Sequence, residues 1–300
     1  MPSFSKGLLA SLSTLTVVLT AACSGGSGAE PEAGDAGAAD AGEVSFGDCE
    51  VYGDAGSISL TPATPDVLTV QTNLPSPGWW KGDTPDSISG GYEYCLAANV
   101  AHRAGLESLQ VQNVSFDALV AGQTQDFDLA MAQISVTPER EEVVTFSAPY
   151  FDSNLGVLAS TEAEVTADNI TDKKVGVQLG TTAVDFAQTE LQLSADPQVF
   201  PDTTSMVTAV TAGVTDVAIQ DTAIMLGFAK NSRGALSVVG QYETGEQYAA
   251  IYPKGSENAE AISEAIEAMR ADDTLKKLSA TWLGPELGGD PVTVPVWSLP

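Results

Sequence analysis

From about residue 66 the chain alternates short β-branched apolar runs with amphipathic stretches of helical period. The pattern predicts strands at 67–72, 109–113 and 129–134, with helices at 92–104 and 116–122 between them. A second series follows: strands at 174–178, 198–200 and 217–220 alternate with helices at 182–191, 206–212 and 222–230. The chain closes with strands at 237–239 and near 248–252, then helices at 259–271 and 274–282. Strands alternating with helices of this length predict an α/β architecture with largely parallel sheets.

Two long extended runs, 143–160 and 245–253, interrupt the alternation. If both cross between lobes, residues 49–160 with 245–300 make a discontinuous first lobe and 161–244 a second. Two crossings make a hinge, and ligands in such folds sit at strand C-termini and helix N-termini. The Pro-rich tail after Gly284 reads either as an extended strap or as a frayed end.

The first 48 residues do not follow this pattern. Lys6 precedes an apolar stretch, 7–20, that is short for a membrane span and leads into Ala21-Ala22-Cys23. This resembles a bacterial lipoprotein signal, residues 1–22, in which the Cys23 thiol is lipidated and becomes the mature N-terminus. The alternative is an ordinary secretory signal that ends beside a cysteine. Residues 23–48 are small and acidic with little apolar content, so the segment reads as a flexible acidic tether.

Composition narrows the function. With 12 basic and 40 acidic residues the net charge is −28, which opposes binding to nucleic acid. One histidine, His102, and three cysteines exclude multi-His and Cys-rich metal sites, and no cofactor is expected. His102 lies at a helix end without a second His or an activated nucleophile, so a Ser-His-Asp hydrolase has no support. With Cys23 set aside, Cys49 and Cys95 form an even pair, read as a disulfide in an oxidising compartment; two buried free thiols are the alternative.

Three places carry candidate chemistry. Thr137 is a natural N-cap and Pro138 a natural first helical residue, which puts Arg140 on a first turn where it can hold a carboxylate. Gly180-Thr181-Thr182 opens another helix, with Thr182 as the cap and Asp185 at capping-box spacing. Asp221 ends an apolar strand and starts a helix, where its carboxylate suits an ammonium group or serves as an N-cap. Together they describe pincers for a zwitterion.

The chain from about 67 to 284 resembles the family 3 extracytoplasmic solute-binding proteins, which deliver amino acids to ABC importers. The residues that carry the resemblance are Gly90-Gly91-Tyr92-Glu93-Tyr94-Cys95-Leu96, Asp128-Leu129-Ala130, and Ser135 through Arg140. Phe146 through Tyr150, Gly180-Thr181-Thr182, Ile219-Gln220-Asp221 and Trp282-Leu283-Gly284 follow in the family's order. The resemblance implies a two-lobed periplasmic-binding-protein-like (type II) fold that closes on its ligand. It also implies that Arg140 clamps the α-carboxylate, helped by Ser135 and by the backbone around Ala132 and Gln133. Thr182, with Thr181 beside it, would hold that carboxylate from the second lobe, Asp221 the ammonium, and Phe116 the ligand side chain.

Two departures from the family pattern bear on specificity. Ser76 stands where an aromatic is usual, and Trp79 of the following GWWKGD loop either takes over as the wall or packs. Asn73 stands where relatives that bind cationic amino acids often carry an acid, which favours a neutral polar ligand. The implied protein is not an enzyme: it is a monomer anchored to the outer face of the cell membrane through Cys23, serving an ABC permease. The rivals are a cyclohexadienyl-type dehydratase on the same scaffold and a ligand-sensing module.

Overall fold

The structure, a computed structural model, describes residues 45–300. The signal at 1–22, Cys23 and the tether up to residue 44 lie outside the described residues.

The first sheet has the strand order β2-β1-β3-β10-β4. β1 (Val67–Thr72) is an interior strand between β2 and β3, and its VLTVQT sequence is buried along almost its whole length. Five of its six residues are apolar or β-branched, which suits a strand covered on both faces, and the buried Gln71 donates to Gln112 Oε1 and Gln125 O. The strand runs parallel to β2 (Ser108–Asn113) and β3 (Leu129–Ala130). The short β10 (Ile251–Tyr252) pairs antiparallel with β3 and with β4 (Thr145–Phe146).

The second sheet has the order β7-β6-β8-β5-β9. β6 (Val175–Gln178) lies parallel to β7 (Gln198–Phe200) and to β8 (Val217–Asp221), the parallel βαβ arrangement the alternation predicts. β5 (Phe151–Ser160) runs antiparallel to β8 and pairs with β9 (Leu236–Tyr248) from Phe151 opposite Tyr248 to Ser160 opposite Leu236.

The chain changes sheets at 147–150 and at 249–250. These segments bond to each other: Ser147 N–H donates to Ala250 O at 2.9 Å and Tyr150 N–H to Tyr248 O at 2.8 Å. The expected lobe boundaries, at 160 and 245, differ from these points, because β5 and all of β9 belong to the second sheet. β9 is also longer than its pattern suggests. It is the last strand of its sheet, so the polar 243–247 stretch stays partly in solvent and needs no apolar alternation.

α1 (Tyr92–Ala104) is the buried central helix of the first lobe. It starts after Gly91, whose φ is +110° and where a Cβ would stand 2.4 Å from the Trp79 carbonyl oxygen, so only glycine fits. It ends on Gly105 in the left-handed conformation, a common C-cap. Cys95 on this helix is joined to Cys49 as a disulfide, with Cα atoms 5.3 Å apart, which ties the entry segment to the core. His102 near the helix end faces the Gly53 carbonyl at 3.0 Å and is partly exposed.

The tail is a strap. Trp297 N–H donates to Gln241 O at 2.8 Å and Gln241 N–H to Pro295 O at 2.9 Å, which covers the outer edge of β9. The Trp297 ring packs over Gly240 and meets Tyr242 edge-on at 5.9 Å.

Candidate functional site

Between the two sheets lies a cavity lined by strand ends and helix starts. The structure brings Asn73, Phe116, Ala132, Gln133, Ser135, Arg140, Thr181, Thr182 and Asp221 together in its lining. Trp79 does not line it. It is fully buried and packs edge-on against Tyr92, Phe151 and Tyr248, with centroids 4.9–5.5 Å away. A large aromatic beside the hinge gains more from core burial than from a polar cavity, so the expectation of a Trp79 wall is corrected.

The local chemistry of α3 (Pro138–Glu141) is as its sequence reads. Thr137 is the N-cap, its Oγ1 accepts from Arg140 N–H at 3.3 Å, and Pro138 opens the helix. Arg140 is thereby aimed inward and buried, with its guanidinium 5.6 Å from the Phe116 ring centroid. It donates to Ser135 O at 2.6 Å and, across the cleft, to Gly180 O at 3.0 Å. Among the described residues it has no carboxylate within 4.0 Å; the ion pairs there are Lys81–Asp48 and Arg103–Asp272. Burial lowers its pKa, opposed by the field of Asp221 and Glu246.

α4 (Thr182–Thr189) starts at the residue the pattern predicts, but its N-cap is Thr181 rather than Thr182. The Thr181 hydroxyl donates to Gln178 O at 2.7 Å, while Thr182 Oγ1 donates to Glu246 at 2.9 Å. Asp221 stands at the N-cap of α6 (Thr222–Asn231) without making a side-chain cap bond, which leaves its carboxylate to the cavity. It accepts from Ser153 Oγ at 3.0 Å, and the Tyr248 hydroxyl lies 2.9 Å from the same Oγ. Burial pushes the Asp221 pKa up to about 7, with the nearby Glu246 charge adding to the rise.

The Gln133 backbone N–H is already engaged, donating to Glu93 at 2.8 Å, so it does not offer the ligand bond that the resemblance implies. Gln133 has a φ of +51°, and its side-chain oxygen accepts from Ser76 Oγ at 2.7 Å.

The sequence reading missed Ser76 as a polar lining residue, as well as Pro75, Gln178, Thr203, Gln220 and Ile224. Gln178 Oε1 gathers Thr203 Oγ1 at 2.6 Å and Gln220 Nε2 at 3.1 Å into a polar layer. All three sit at a strand C-terminus or a helix start, the positions that face a ligand in sheets of this kind, so that rule was the available signal. Among the described residues no cluster of His, Cys, Asp and Glu is placed to hold a metal.

Residues 69–285 match the family of bacterial extracellular solute-binding proteins, family 3. The chain belongs to that family. This binding protein is 26% identical over 241 residues to the L-cystine-binding protein TcyJ of Escherichia coli (strain K12), covering 79% of this chain and 89% of that protein. Its fold matches an ancestral arginine-binding protein bound to glutamine, with a TM-score of 0.66 and 27% identity, over 74% of this chain and 99% of that one. It also matches the ancestral amino-acid-binding protein AncCDT-1, a precursor of cyclohexadienyl dehydratase, with a TM-score of 0.63 and 25% identity, over 73% and 95% of the two chains.

Proposed function

We propose that this binding protein captures an α-amino acid with a neutral polar side chain between two hinged lobes and presents it to the permease of an ABC importer. The observation that carries the proposal is Arg140, a buried cation with no carboxylate within 4.0 Å among the described residues. A buried charge left uncompensated is costly, and a ligand carboxylate is the group that removes the cost. In this reading Arg140, Ser135 and Thr182 hold the α-carboxylate and Asp221 the ammonium. Phe116, Asn73, Gln178, Thr203 and Gln220 meet the side chain. Apart from Phe116 these are neutral polar groups, which supports the neutral polar preference. The amino-acid ligands named for the relatives support the ligand class.

The lobes are proposed to rotate about 147–150 and 249–250, with ligand favouring the closed state through contacts made to both. The protein is further proposed to act as a monomer held to the membrane by lipid on Cys23. Thermal-shift screening against the twenty amino acids should reveal one or a few that raise the unfolding midpoint, and Arg140→Ala should abolish the shift. An unchanged shift in that variant would overturn the carboxylate-clamp assignment.

One observation favours a second reading. An acid in the cavity whose pKa is raised to about 7 suits proton transfer, and a likeness to a dehydratase precursor points the same way. Asp221 is the only carboxylate lining the cavity among the described residues, and holding an ammonium occupies it. Recovery of the bound amino acid unchanged after prolonged incubation, read by NMR, supports binding; conversion supports the enzyme.

A further inference from the structure

Glu246 lies on β9, two residues before that strand ends, and is not among the groups assigned to the ligand. Its Oε2 accepts from the Ser135 hydroxyl and, at 2.9 Å, from Thr182 Oγ1. One of these hydroxyls stands on the segment after β3 and the other on the first residue of α4. They are the hydroxyls given above to the ligand's α-carboxylate. A hydroxyl has one proton to donate, so while Glu246 accepts from both, neither can donate to a second carboxylate.

The rest of the cleft is closed to match. Arg140 bonds the Gly180 carbonyl from the opposite side, and the cavity measures about 20 Å³. That holds roughly one water molecule and no amino acid. A ligand can enter only after these contacts part.

We propose that Glu246 is a positioning residue that latches the cleft: its carboxylate occupies the Ser135 and Thr182 hydroxyls, and the ligand carboxylate binds by displacing it. This rests on the assignment of those two hydroxyls to the ligand. Hydrogen bonds to an ionised acceptor are about twice as strong as neutral ones, which suits a latch. The latched state cannot admit ligand, so it raises the observed dissociation constant in proportion to its population. A contact that merely supports the site would weaken binding when removed. A latch does the opposite.

The test uses Glu246→Ala, with Glu246→Gln as a milder variant that keeps size and one acceptor oxygen. Small-angle scattering of the ligand-free proteins should show a larger radius of gyration for the Ala variant than for wild type. Titration calorimetry with L-glutamine as probe should show binding tightened by about three- to tenfold, with Gln between the two. An unchanged radius of gyration, or unchanged or weaker L-glutamine binding, overturns the latch; should the Ala variant fail to fold, the Gln variant is judged by the same two criteria. The scattering needs no ligand. If wild type binds no amino acid at all, the proposed function fails, and scattering alone decides whether Glu246 holds the cleft shut.

Discussion

The Tyr150 hydroxyl donates to the Glu93 carboxylate, joining a residue of the sheet-to-sheet crossing to the first turn of α1. Glu93 is fully buried and also accepts from Trp80 Nε1 at 2.8 Å and from the Gln133 backbone at 2.8 Å. One carboxylate thus fixes the hinge, the GWWKGD loop and the turn that presents Ser135.

This network makes stability depend on pH. Burial raises the Glu93 pKa from 4.5 to about 7, against the lowering effect of its hydrogen bonds. The folded protein therefore binds a proton more tightly than the unfolded chain. The associated stability is fully present below pH 4.5 and is lost as pH rises through about 7, at up to about 1.4 kcal/mol per pH unit. Urea unfolding at a series of pH values should show this decline in wild type and a flatter profile in Glu93→Gln. Parallel profiles would assign the slope elsewhere.

The Cys49–Cys95 bridge spans a sequence separation of 46, and on the loop-entropy model closing such a loop contributes about 4 kcal/mol. Cys95 is fully buried, so its replacement also disturbs packing. Cys49→Ser paired with Cys95→Ala should lower stability by about 2–4 kcal/mol and leave ligand affinity nearly unchanged, since neither residue lines the cavity. Reduction of the wild type should reproduce the loss. A variant as stable as wild type would mean that the entry segment is held by its other contacts, such as Tyr52 N–H to Asn99 Oδ1 at 2.7 Å.

The tail strap is open to the same kind of test. Trp297 is partly buried against Gly240 and Tyr242, so Trp297→Ala should cost about 1–2 kcal/mol. It should also increase hydrogen exchange along 236–242, where the strap covers the β9 edge. Exchange that stays at the wild-type level there would show that the edge is protected without the tail.

What could be read from the sequence was what local chemistry determines. Thr137-Pro138 places Arg140 because an N-cap and a first-turn proline act within four residues. The alternation of 67–72 through 217–220 reads as two α/β lobes because strands covered on both faces must be apolar. Trp79 was ambiguous because core and cavity both accept an aromatic, and only the placement of Tyr92, Phe151 and Tyr248 decides between them. Glu246 had no local signal at all. It is one acid among the polar residues of an outer strand, and its importance arises from two hydroxyls 64 and 111 positions away.

The Asp221 carboxylate sets a last expectation, which concerns ligand rather than fold. Burial, then the Glu246 charge, pushes its pKa up to about 7. A ligand ammonium binds the ionised form, so binding below pH 7 must release a proton from Asp221. Affinity should then rise with pH by up to tenfold per unit from about pH 5 and level off above about 7. Calorimetry in buffers of different ionisation enthalpy would read the released proton directly at pH 6, and none at pH 8.5. Asp221→Asn should lose the pH dependence and weaken binding by about 100-fold, because a charge-assisted bond becomes a neutral one in a buried site. If the Asn variant kept both the slope and the affinity, the ammonium would lie elsewhere in the cavity and Asp221 would serve only the Ser153–Tyr248 network beneath it.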